Sequence, residues 1–169
     1  MILQGLWQGL ENSALGQYIA ASSWAFPTIE TVHVIAIVTV VGSIAVLDLR
    51  LLGLSSTDRP VTETSREMLP LTWGAFALAA VSGGLLFISK ATTYTVNPYF
   101  LWKLALIALA GVNMLFFHLI TWKSVGAWDA GKALPRAAKL AGGVSLGFWV
   151  VAVFLARAIG FTLDKFSPS

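Results

Sequence analysis

The sequence predicts an all-α integral membrane protein, a bundle of four transmembrane helices preceded by an amphipathic helix lying in the membrane interface. Three observations carry that expectation. Of the 169 residues, 57% are hydrophobic and only 11% charged, with a mean hydropathy of +0.78, against about 25% charge in ordinary globular chains. Four apolar stretches reach the roughly 20 residues that a hydrocarbon core requires. No segment sustains the period-two alternation of a membrane barrel strand. The length suits one domain, so residues 1–169 are read as a single integral membrane unit.

Segment 1–26 has Leu3, Leu6, Trp7, Leu10, Leu15 and Ile19 at helical spacing among Gln, Glu, Asn and Ser, the pattern of an interfacial helix. It lacks the basic start of a secretory signal, since no Lys or Arg precedes Arg50. The first span is expected over 28–54, from the end of FPTIE to Gly53 and the polar SSTDRP. The second is expected over 69–89, with Pro70 in its first turn, where a missing N–H costs little. The third opens at Pro98 and runs to about 122, and the fourth covers 137–161. Gly83 and Gly84, and Gly143 with Gly147, are small surfaces for close helix approach, within the bundle or in a homo-oligomer.

The bases orient these spans. Arg50, Arg59, Arg66, Lys123, Lys132, Arg136 and Lys139 flank two connections on one side, whereas Lys90, Lys103, Arg157 and Lys165 fall to the other. The positive-inside rule then predicts a multi-pass protein of a bacterial inner membrane with both termini periplasmic. The net charge of +3 has no dense basic run behind it, so nucleic acid is not an expected partner. The absence of cysteine excludes disulfides, thiolate metal sites and cysteine nucleophiles. No phosphate-binding glycine loop, HExxH or GxSxG occurs.

Polar residues within the spans carry the functional expectation, because each costs free energy in lipid. They are His33, Lys103, Asn113, Met114, His118 and Arg157. Glu30 precedes His33 by one turn and shares its helix face, an arrangement that suits a metal site, an oriented imidazole or a proton relay. The first and third spans run the same way, which separates His33 from His118 by roughly 22 Å of helix rise. One iron cannot bridge them within a subunit, but one haem near each leaflet is compatible with that depth. Lys103, Glu30 or a neighbouring protomer's His33 would complete the outer site, and Met114 or Met68 the inner one. Arg157, Arg136 and Lys139 suit propionates or lipid phosphates. The competing structural readings are interhelical hydrogen bonds for the histidines and Asn113, packing for the methionines, a boundary pair for Asp48 and Arg50, and interfacial anchoring for Trp24, Trp102 and Trp122.

The segments SSWAFPTIETVHVIAIVTVVGSIAVLDLRLLG and NPYFLWKLALIALAGVNMLFFH resemble a small bacterial family of four-helix membrane proteins, and that resemblance implies the fold but no activity. More distantly, an early-span histidine and a later KL pair followed by histidine are similar to the haem-containing membrane protoporphyrinogen oxidase and copper-resistance D-type families. The former implies haem contacts at His33 and Lys103. The leading expectation is a b-type haem protein or membrane oxidoreductase, exchanging electrons with a quinol or periplasmic partner, with quinone as a second cofactor candidate. A copper or proton-linked permease using Glu30, His33 and His118, and a non-catalytic scaffold, are the alternatives.

Overall fold

A computed structural model describes residues 2–129 and 133–166, all helix, turn and connection. Lys132, counted above among the basic residues, lies outside the described residues. Seven α-helices follow in order: α1 (Ile2–Glu11), α2 (Ala14–Ala21), α3 (Ala25–Leu52), α4 (Val61–Ser89), α5 (Ala91–Val96), α6 (Pro98–Phe116) and α7 (Arg136–Thr162). After α6 come a π turn over Phe117–Thr121 and a tight 3-10 turn over Trp122–Ala127. Four helical segments, α3, α4, α6 with its following turns, and α7, are long and apolar enough to cross a membrane. The protein is an all-α membrane bundle.

The amphipathic start is two helices rather than one. Ser13 breaks it, its hydroxyl capping α2 by accepting from the Gly16 amide at 3.1 Å. Leu3, Leu6 and Leu10 stay exposed, while Ile19 is buried and Trp7 packs edge-on against Phe87 of α4. Glu11 fixes the pair to the bundle, its carboxylate accepting from both the amide and the hydroxyl of Thr92, at 3.0 and 2.6 Å.

The second span begins eight residues earlier than hydropathy indicates. Val61–Met68 continues the helix beyond the apolar stretch, and Pro70 lies in the helix interior instead of its first turn. Polar contacts sustain this extension: Asp129 accepts from the Thr62 amide and hydroxyl at the helix start, and Arg59 bridges Glu63 and Glu67 at 2.7 and 2.8 Å. The two carboxylates hold the Arg59 guanidinium above its ordinary pKa, so its charge persists through any accessible pH. α3 ends at Gly53, whose left-handed φ of 76° reverses the chain. A core of Leu51, Val61, Phe117, Trp128 and Ala138 closes this basic end.

Packing places the long helices in a row, α4 against α3, α3 against α7 and α7 against α6. The two outer members, α4 and α6, are not packed along their lengths. They approach at the end carrying the chain termini, where Phe87 of α4 stacks on Phe100 of α6 at 5.7 Å and Tyr94 of α5 wedges beside both.

Tyr94 gives this wedge a pH signature. Burial, and secondarily the charge of Glu30, raise its phenol above the ordinary value of 10. The neutral form is therefore favoured by folding, a contribution fully present below pH 10 and lost as pH rises through the elevated folded value. Unfolding measured over that alkaline range should show a steeper loss of stability in the native protein than in Tyr94→Phe. Superimposable profiles would refute the assignment.

Candidate functional site: a lateral cavity at the basic end

Toward the basic end a cavity of about 150 Å³ lies among α3, α4, α6 and α7, on the side where α4 and α6 do not pack along their lengths. The residues come from four helices in regular turns. Ile44, Leu47, Asp48 and Leu51 follow one face of α3; Leu69, Thr72, Trp73 and Phe76 follow α4; Ala110, Asn113 and Met114 follow α6, with Phe117 just after it; Ala141, Ser145 and Trp149 follow α7. Since α3 and α7 pack together, they form the back wall, and the α4–α6 gap is the mouth. The walls are overwhelmingly apolar, with five polar side chains among them: Asp48, Thr72, Asn113, His118 and Ser145.

Asp48 is the exceptional member. It is 5% exposed, and its Oδ2 is fully buried with no hydrogen-bond partner among the described residues. The expected pairing with Arg50 does not form. Residues two apart diverge by about 200° around a helix, and Arg50 turns the other way, its Nε donating to the Arg59 carbonyl at 2.8 Å. Ser145 of α7 lies beside the Asp48 carboxyl. Sequence reading placed Asp48 at a helix boundary and missed it as a site residue. The available signal was an acid sharing a helix face with the apolar Ile44, one turn before it, and Leu51, one turn after.

The other polar groups are partly committed. Asn113 donates from Nδ2 to the Ala141 carbonyl at 3.0 Å, joining α6 to α7, and its Oδ1 has no hydrogen-bond partner among the described residues. Thr72 donates to the Met68 carbonyl at 2.8 Å and meets Ser43 of α3 at 2.8 Å. His118 lies in the π turn, where Nδ1 is 2.9 Å from the Met114 carbonyl. A carbonyl only accepts, so Nδ1 carries the proton and Nε2 of the neutral ring is a bare acceptor. Trp122 lies 5.6 Å from the imidazole, so this tryptophan is a packing partner of His118 as well as a boundary residue.

The structure brings His118 and Met114 of the anticipated inner set to the cavity and leaves Met68 out of its lining. His33 is elsewhere, in the α3–α4 interface. Its Nδ1 is 3.0 Å from Ser82 Oγ, and Ser82 already donates to the Leu78 carbonyl at 2.7 Å, so the imidazole donates to the serine. Gly83 makes room for the ring: a Cβ there would lie 2.8 Å from Cε1. Ser82, not Glu30, is thus the hydrogen-bond partner of His33. Glu30 is exposed, and its charge and that of Lys103 lie within electrostatic reach of the ring. The Lys103 ammonium sits 5.1 Å from the Phe100 ring centroid, and the exposed Arg157 stacks 4.3 Å over Phe161. Among the described residues, no three His, Asp or Glu side chains cluster as a metal site.

Haem fits this cavity poorly. A cavity of about 150 Å³ accommodates a single benzene ring, whereas a porphyrin is a plane of four pyrroles. His118, in the π turn, and Met114, at the end of α6, are neighbours joined through the Nδ1 bond to the Met114 carbonyl and cannot approach an iron from opposite sides.

Comparison with protein-family models, curated proteins and solved structures gave no match.

Proposed function

We propose that this chain is a membrane-embedded binding protein for a small lipid-soluble molecule, which enters sideways from the bilayer between α4 and α6. The observation that carries the proposal is the buried, unpartnered Asp48 oxygen on the wall of an otherwise apolar cavity. An intramembrane carboxyl is costly and ordinarily has a functional partner. Apolar walls with a few convergent polar groups are also the usual make-up of a small-molecule site. Within the redox class anticipated from the sequence, this geometry supports a lipid-phase carrier molecule as ligand in preference to haem b. His33 serves in this reading as a link between α3 and α4, and Lys103 as a flank of the aromatic wedge.

Fluorobenzene, titrated onto detergent-purified protein and followed by fluorine NMR, tests the proposal. Saturable binding is expected, and Gly111→Phe should abolish it. Gly111 lines the cavity, and a Cβ there meets nothing within 4 Å, so the added ring occupies the mouth without disturbing the backbone. Purely linear partitioning, identical in both proteins, would contradict the reading. A Soret band with a reducible α band in the purified protein would restore haem in its place.

A further inference from the structure

We infer that the ligand of this cavity is a single aromatic ring bearing hydroxyl groups, of the quinol or phenol class, with Asp48 accepting a hydrogen bond from one hydroxyl. The inference rests on the cavity reading above and adds to it the chemistry of the occupant.

Size sets the first limit. The cavity has the volume of one that holds a single benzene ring, so its interior admits one six-membered ring. The walls set the second. Trp73 and Phe76 of α4 and Trp149 of α7 provide aromatic surfaces for stacked or edge contacts with such a ring. Hydrogen-bonding capacity sets the third. Among the described residues Asp48 Oδ2, Asn113 Oδ1 and the His118 Nε2 lone pair have no hydrogen-bond partner, while one amide proton of Asn113 and the Nδ1 proton of His118 point to backbone carbonyls. The walls thus offer free acceptors, led by the buried Asp48 oxygen, beside the Ser145 hydroxyl and the indole N–H groups, and a hydroxyl, which both donates and accepts, matches that mixture. A hydroxyl donates to such an oxygen and can also accept from Ser145 or an indole N–H on the same walls.

An organic cation would also satisfy a lone carboxyl. A fluorobenzylammonium probe separates that case from a hydroxylated ring. The open α4–α6 mouth further allows an aliphatic tail on the ring to run out into lipid, as the tail of a membrane quinol would.

Competition among three fluorinated probes distinguishes the possibilities: fluorobenzene, fluorophenol and fluorobenzylammonium, each titrated onto the native protein, Asp48→Asn and Asn113→Leu. Fluorophenol is expected to bind about tenfold more tightly than fluorobenzene, the ratio given by one hydrogen bond to a charged or strongly polar acceptor. Asp48→Asn, which keeps only the weaker amide acceptor, should reduce that preference and leave fluorobenzene binding unchanged. Asn113→Leu, which acts on a different helix, should reduce the preference in part and guards against a folding defect in the first variant. A short-tailed quinol that displaces fluorophenol more strongly than its tail-less parent identifies a lipid-phase quinol as the source, and equal displacement identifies a free phenol. Equal affinities for fluorophenol and fluorobenzene in all three proteins would overturn this inference but leave the cavity reading intact. Tightest binding of the ammonium would overturn it in favour of a cation site. Failure of every probe to saturate would overturn both.

Discussion

Asp48→Leu is expected to stabilise the bundle and to weaken binding of a hydroxylated ring by about tenfold or more. A buried polar atom without a partner costs about 1–3 kcal/mol, and the Asp48 oxygen is in that position. Leucine removes this cost and extends an apolar side chain toward an apolar cavity. Unfolding in detergent should therefore shift in favour of the folded state by about that amount, which is the behaviour of a residue kept for binding at the expense of stability. A variant less stable than the native protein would show that Asp48 holds a structural partner, and the functional assignment would lose its foundation.

Gly142→Ala is expected to have the opposite effect, a loss of about 1–3 kcal/mol from overpacking. A Cβ on Gly142 would lie 2.9 Å from the Asp48 carbonyl oxygen and 3.0 Å from Leu51 Cβ, so it presses on the backbone of α3. The strain falls on the α3–α7 contact that forms the back wall of the cavity, and ring binding should weaken together with stability. Gly147→Ala is the control, because a Cβ there meets nothing within 4 Å and alanine improves helix propensity by about 1 kcal/mol. Equal stability of the two variants would mean that α3 and α7 are not in close contact at Gly142.

These residues show where the sequence was legible. The four spans follow from hydropathy alone, since lipid demands long apolar helices. Ser13 between two short amphipathic turns was a readable cap that the longer periodicity obscured. The polar start of α4 was hidden because Thr62, Glu63 and Glu67 read as loop, although Glu63 and Glu67 are one turn apart and share Arg59. α5, with six residues, is too short for a periodic signal.

The site was harder to read for a different reason. In a bilayer, packed and lipid-facing positions are both apolar, so hydropathy does not distinguish Trp149 in the core from the exposed Trp102. It equally conceals the gap between α4 and α6. Gly142 and Gly143 are indistinguishable by composition, yet only the former would press a Cβ on the backbone of α3. The two histidines attracted attention as scarce ligating groups, and their first contacts are Ser82 and the Met114 carbonyl. The more telling residue, Asp48, was legible through its i,i+2 offset from Arg50, which forbids the pair and leaves a buried acid to be explained.

An experimental map of the protein, prepared with its native lipids, tests the central claim most directly. Compact ring-sized density is expected between Asp48 and the Trp73 and Trp149 side chains, with any extension leaving through the α4–α6 mouth. A mouth closed by direct packing of α4 on α6, with the Asp48 carboxyl bonded to a protein group, would contradict it.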